Sequence, residues 1–196
     1  MASAGAGAAA KWNERYGETP SMRYGEAANA WLAGPDGVKK FVPKGGRVIE
    51  LASGEGRNTV WLAEQGYKAE GVDISSAGVL KSRAFADSRG LADTIKFSEG
   101  DATSFGEDDA FDGVVCVFAH VPTPLKAALL ANIVRILKPG GHLVGEWYTP
   151  THVERKDDPA VEWGFGGPPT KDACETSPAA AARGEAIARP LARQIV

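Results

Sequence analysis

A chain of 196 residues, 43% hydrophobic and 24% charged, has the size and balance of one globular domain built on a single core. Its formal net charge of -3, with basic residues scattered and none interleaved with aromatics, gives no electrostatic case for nucleic acid or an anionic membrane. Cys116 and Cys174 match no metal or redox spacing, and no apolar run is long enough to cross a bilayer, so the expectation is a cytoplasmic protein without a metal site.

The start, MASAGAGAAA (residues 1–10), lacks the basic flank and bulky apolar stretch of a secretory signal, and is expected to be an unstructured lead-in. Residues 11–45 are aromatic and polar with no strand pattern, and Trp31, Leu32, Val38 and Phe41 suit a covering helix. RVIELA then predicts a central strand buried on both faces, and RNTVWLAEQ a helix stopped by Gly66. KAEGVDIS is a second strand with Asp73 near its end, and SAGVLKSRAFADSRG a helix opened by Ser75 or Ser76 and closed at Gly90. TIKFSEGD is a third strand with Asp101 just past it. FDGVVCVFA is a fourth, with Cys116 read as a small core residue. SFGEDDAFD between them is too polar and short to predict a crossover helix. TPLKAALLANIVRIL repeats Leu125, Ala128, Leu129, Asn132, Ile133 and Ile136 at helical spacing. KPGG reads as a turn and HLVGEWY as a fifth strand. Strand and helix alternating in this way predict an α/β fold with a doubly wound, mostly parallel sheet. The polar and alanine-rich residues 171–196 are expected to form an irregular tail.

Open parallel sheets hold ligands beyond the carboxyl ends of their strands. The first turn, Glu50-Leu51-Ala52-Ser53-Gly54-Glu55-Gly56-Arg57-Asn58, is the prime contact. It lacks the lysine followed by Ser or Thr that nucleoside triphosphates require. Gly54 and Gly56 fit the spacing for a dinucleotide, but Thr59 stands where the third glycine belongs, and Glu50 would repel a pyrophosphate. A cationic ligand without phosphate fits better, and S-adenosylmethionine is one. Glu50 would accept from its ammonium, directly or through water. Gly54 and Gly56 would admit its methionine part. Asp73 would take both ribose hydroxyls, Asp101 and the Ala102 amide would meet the adenine amino group, and Ile74 would pack on the adenine face.

The segments WNERYG, YGEAANAWL, VIELASGEGRNTVWLAEQGYKAEGVDIS, FDGVVCVFAHVP, ILKPGGHLVGEWYTP and GGPP, within residues 12–170, resemble class I S-adenosylmethionine-dependent methyltransferases of the tellurite-resistance and thiopurine type. The resemblance implies a Rossmann-like methyltransferase domain over residues 11–170, with residues 11–45 as a lid. Cofactor contacts would fall at Glu50, Ala52, Gly54, Gly56, Arg57, Asn58, Asp73, Ile74, Asp101, Ala102 and Val117, and at Trp12 and Tyr24. Arg57 and Asn58 would open the first helix, and Trp12, Tyr16 and Tyr24 would belong to the lid. It also implies a small, soft acceptor: a thiol, a halide, or an oxyanion of selenium or tellurium. Where these enzymes continue into a last antiparallel strand pair, this chain runs into SPAAAARGEAIARPLARQIV, so it reads as a shortened product. Two consequences are expected: the fifth strand becomes an exposed edge, and a non-catalytic cofactor-binding remnant becomes the rival to an active enzyme.

Methyl transfer to a soft nucleophile needs alignment and exclusion of water more than a strong base. His120, just after the fourth strand, is the candidate catalytic helper, with shaping of the loop before Pro122 as the alternative. His142 is expected to be structural. His152 and Tyr148 could approach the pocket from the far end of the fifth strand.

Overall fold

The structure, a computed structural model, describes residues 2–119, 121–147 and 187–190. Three helices precede the sheet: α1 (Ala2–Gly17), α2 (Ala30–Ala33) and α3 (Val38–Phe41). There follow β1 (Arg47–Leu51), α4 (Arg57–Glu64), β2 (Lys68–Asp73), α5 (Ser76–Ser88), β3 (Lys96–Glu99) and β4 (Phe111–Val117). A 3-10 turn (Thr123–Leu125) leads into α6 (Lys126–Ile136), β5 (Leu137–Glu146) and β6 (Ile187–Pro190). The strands lie in the order β3-β2-β1-β4-β5-β6. The first five in that order are parallel, as expected, and β6 runs antiparallel to β5.

Side-chain alternation along the strands builds a core on each face. Val48, Val115 and Val117 join Val60, Leu62, Val79 and Phe85 beneath α4 and α5. Ile49, Leu51, Val114 and Cys116 join Leu129, Ile133 and Ile136 of α6 on the opposite face. Cys116 is a buried free thiol, the core residue its apolar context implied.

Four expectations change. The lead-in is not unstructured: residues 2–10 form the first half of α1, since alanine has the highest intrinsic helix propensity. The covering helix is two short ones. Between them Gly37 packs so tightly that a Cβ there would lie 2.0 Å from the Leu32 carbonyl oxygen. KPGG is not a free turn but part of β5, as an irregularity: Phe111 pairs with Leu137, whereas Gly113 pairs with His142. And β5 is not an edge, because Ile187–Pro190, from the expected irregular tail, pairs with His142 to Gly145 and satisfies that side of the strand.

The β3-to-β4 connection has no helix, as the polarity of SFGEDDAFD suggested, and α6 holds it instead. Asn132, 4% exposed, donates from Nδ2 to the carbonyls of Ala102 (2.8 Å) and Phe105 (2.9 Å). Arg135 donates to the carbonyls of Ser104 and Gly106, each at 3.0 Å. Removing the Asn132 amide takes a donor from the half-buried Ala102 carbonyl and leaves the Phe105 carbonyl to the longer Arg135 Nη2 contact at 3.5 Å. Asn132→Ala is expected to lower stability by about 1–3 kcal/mol in urea unfolding, with an unchanged m-value. A loss within 0.3 kcal/mol of zero (roughly the limit of the method) would show that the loop holds itself.

Candidate functional site

The strand order reverses between β1 and β4, which makes the crevice beyond their carboxyl ends the place for a ligand. Both strands end there in left-handed backbone on residues other than glycine: Ala52 has φ 59° and Phe118 has φ 52°. For a bulky aromatic this is a costly conformation, of the kind concentrated at functional sites.

The turn after β1 is fastened to the end of β2. Asp73, 5% exposed, accepts the Gly54 amide at 2.7 Å on Oδ2 and the Ser75 amide at 2.9 Å on Oδ1. Burial raises its pKa, and the amides of Ser75, Gly54 and Ile74 act against the rise. Gly54 has φ 57°, and a Cβ on it would stand 2.7 Å from the Tyr16 hydroxyl of α1. Gly56, with φ 84°, sits against Ser82 and Phe97, where a Cβ would lie 2.8 Å from the Ser82 Cβ. The second glycine thus lets α4 start close to α5, while the first lets the N-terminal helix rest on the turn.

Glu50 shares the Val48 face of β1, beneath α4, and is 2% exposed. Both carboxylate oxygens are engaged: Oε1 accepts Asn58 Nδ2 at 2.8 Å and Oε2 accepts the Thr59 hydroxyl at 2.6 Å. Burial pushes its pKa up to about 7 despite those two bonds. Thr59, the residue at the missing third-glycine position, is there to supply that hydroxyl.

Arg57 does not pair with Glu55. Its Nη1 donates to the carbonyls of Tyr24 (3.1 Å) and Ala27 (3.2 Å). Glu55, 4% exposed, accepts the Arg23 amide at 2.7 Å and pairs with Lys81 Nζ at 2.9 Å. Lys81 also donates to the carbonyls of Thr19 (2.7 Å) and Ser21 (2.9 Å). Asn58 Oδ1 accepts the Asn29 amide at 2.8 Å. The polar side chains of GEGRN therefore hold residues 19–29 as a strap across the turn. In α1, Trp12 stacks on Tyr16 at 5.4 Å, and Asn13 Oδ1 accepts the Ser75 hydroxyl (2.7 Å) and the Ala77 amide (3.1 Å) at the start of α5. Desolvation, and next the nearby Asp73, raise the Tyr16 phenol pKa well above its ordinary value.

Asp101 is exposed, and its Oδ1 caps its own turn by accepting the Thr103 amide at 2.8 Å and hydroxyl at 2.7 Å. Ile74 and Ala102 are half-buried, and Val117 is buried. Tyr24 is half-buried in the strap. His142 stands at 5.9 Å from the Phe41 ring, far along β5 from the crevice. His120, Tyr148 and His152 lie outside the described residues. Among the described residues no cluster of His, Cys, Asp or Glu could hold a metal, and no helix is long and apolar enough to cross a membrane. A hollow of about 540 Å³ opens between α1 and α5, lined by Asn13, Ser76, Ala77, Val79, Leu80, Arg83 and Glu99. Its lining takes in Glu99 at the end of β3 but not Glu50, Asp73 or Asp101.

The sequence reading missed Asn13, Asn29, Gly78 and Lys81. Two left a trace. Asn29 before AWLA has the form of a helix cap, and it accepts the Leu32 amide at 2.9 Å. Gly78 is a glycine inside a helix, where a Cβ would lie 2.9 Å from the Gly54 carbonyl oxygen.

With this geometry in hand, residues 48–141 match the methyltransferase-domain family. The demethylmenaquinone methyltransferase of Clavibacter sepedonicus is 37% identical over 105 residues, covering 51% of this chain and 40% of that enzyme. The leading curated relatives are longer, and this chain spans from 33% to 49% of their length. The crystal structure of the PH0226 protein from Pyrococcus horikoshii superimposes with a TM-score of 0.54 at 30% identity, over 61% of this chain and 56% of that one. An S-adenosylmethionine-dependent methyltransferase from Mesorhizobium loti superimposes with a TM-score of 0.50 at 26% identity, over 56% and 49%.

The buried Glu50 gives a pH signature. Unfolded, it ionises near 4.5; folded, near 7, so the unfolded chain releases this proton first. Its contribution is full below pH 4.5, declines as pH rises to 7, and is then lost, a span on the order of 3 kcal/mol. In Glu50→Gln, whose amide oxygen still accepts from Thr59, the melting temperature is expected to fall less between pH 5 and 7 than in the parent (roughly the window between the two ionisations). Parallel pH profiles would show that Glu50 ionises alike in both states.

Proposed function

We propose that this chain, whose residues 48–141 match the methyltransferase-domain family, transfers a methyl group from S-adenosylmethionine to a small-molecule acceptor in the crevice beyond β1 and β4. The observation that carries the reading is the bond from the Gly54 amide to the buried carboxylate of Asp73. The bond supports the reading because Asp73 retains acceptor capacity on both oxygens after its amide bonds, which suits the two hydroxyls of a ribose. Asp101 Oδ2 accepts no bond among the described residues, which suits a donor such as an adenine amino group, and the half-buried Ile74 and Ala102 offer apolar surface. Glu50, buried below the turn with its pKa pushed up to about 7, adds negative potential for a cationic ligand only as it ionises.

When bound, S-adenosylmethionine supplies a methyl group already activated by its sulfonium. The work left to the protein is alignment and exclusion of water, and α1 and the strap over Gly54 are placed for it. The finer reading is a soft acceptor: a thiol, a halide, or a selenium or tellurium oxyanion. It is supported by the resemblance of the WNERYG and GEGRN segments to the tellurite-resistance and thiopurine-type enzymes. His120, next to Ala119 at the end of β4, is proposed to orient or deprotonate the acceptor.

Calorimetric titration with S-adenosylmethionine and S-adenosylhomocysteine tests the cofactor. The parent is expected to bind both at micromolar levels, and Asp73→Ala to weaken binding by about 2 kcal/mol or more. No binding by a folded parent would sink the proposal. For the acceptor, turnover is measured against a thiol, iodide, selenite and a reduced quinone. His120→Ala is expected to leave cofactor affinity unchanged and lower kcat by about a hundredfold. Turnover of the quinone alone would overturn the soft-acceptor reading, and an undiminished kcat would remove His120 from the reaction.

A further inference from the structure

Hydrogen bonds cross the switch point from one side of the crevice to the other. They start at Glu50 on β1, pass to Asn58 of α4 at 2.8 Å, and reach the Asn29 amide in the strap at 2.8 Å. Asn29 carries them onward: its Nδ2 donates to Glu146 Oε2, at the end of β5, at 2.6 Å. Its remaining side-chain atom, Oδ1, caps α2 by accepting the Leu32 amide. One residue of the N-terminal segment thus spends its backbone donor on the cofactor turn and its side-chain donor on the strand beyond β4. The Glu146 carbonyl in turn accepts the Phe118 amide at 2.9 Å, which ties the same strand end to the strained residue at the crevice.

We propose that Asn29 is the positioning residue that latches the strap across the crevice, joining the cofactor turn to the β5 side, so that its loss opens the strap and speeds escape of the bound cofactor. Asn29 touches neither reactant; it acts through Asn58 and Glu146. The remaining strap contacts, to Arg57, Glu55, Lys81 and Arg89, all lie on the α4 and α5 side; α2 behind Asn29 packs against β5, but among the described strap residues Asn29 alone hydrogen-bonds to it. A strap held on one side swings; held on both, it excludes water. The kinetic half of this inference rests on the methyl-transfer reading above, whereas the latch itself does not.

The test exchanges donor and acceptor across the latch. Asn29→Asp keeps the cap on Leu32 but sets a second carboxylate against Glu146. Glu146→Gln alone keeps an acceptor for Asn29. The double variant lets the new amide at 146 donate to the new carboxylate at 29 and so restores the pair in reverse. Hydrogen exchange over residues 18–29 of the ligand-free protein, and dissociation of S-adenosylhomocysteine by stopped flow, are measured for all four proteins. Asn29→Asp is expected to speed strap exchange and to raise the dissociation rate about tenfold with an unchanged melting temperature, while the double variant returns both toward the parent. Exchange that is the same in Asn29→Asp and the parent overturns the latch. Faster exchange with unaltered dissociation overturns its control of the cofactor. If the parent binds no S-adenosylhomocysteine, the methyl-transfer reading fails, and exchange restored in the double variant still supports the latch.

Discussion

The bond between the Gly54 amide and the Asp73 carboxylate is the constraint on which the rest of the site depends. It joins the ends of neighbouring parallel strands, and it can form only because the turn enters left-handed backbone at Ala52, Gly54 and Gly56. With the turn so held, α4 starts against α5, and the Gly54 face stays open enough for Tyr16 to descend onto it. A side chain at position 54 would meet both the strained φ and the phenol. One hydrogen bond thereby sets the floor of the crevice, the start of a helix and the seat of the N-terminal cover.

The polar residues of the turn serve two directions at once. Glu50 and Thr59 are used below, inside the α4 face of the sheet; Glu55, Arg57 and Asn58 are used above, on the backbone of residues 19–29. Burying Glu50 costs desolvation, visible in its raised pKa, and two directed hydrogen bonds offset part of that cost. Glu55 is almost as buried but has the Lys81 ammonium beside it. A segment with few apolar anchors of its own is in this way held by charge-assisted bonds to the rigid sheet ends, an arrangement suited to opening and closing.

Much of the architecture was legible in local sequence. Strand runs, helical periodicity, the Ser75 cap and the polar β3-to-β4 connection all depend on neighbours within a few residues, and each appears where its pattern lies. The direction of Glu50 was also within reach, since strict alternation along β1 puts it with Val48 and not with Ile49 and Leu51. The role of Arg57 was not. An arginine at a helix start signals that some acceptor must offset the dipole, yet the acceptors are carbonyls some thirty positions earlier, |i−j| being 33 and 30. KPGG misled for a similar reason: its composition is that of a turn, and pairing with β4 draws it into the strand.

The sequence by itself determined the parallel sheet, the glycine turn and the acids at the strand ends, because periodicity and turn chemistry act over short stretches of chain. Tertiary structure alone decided that Asp73 clamps Gly54, that the strap is held by GEGRN, that Asn29 reaches Glu146 and that Ile187–Pro190 covers β5. Those contacts join residues from 19 to 117 positions apart. Their energy comes from satisfying polar groups that the folded sheet has already removed from water, and no local pattern records which distant group will do so.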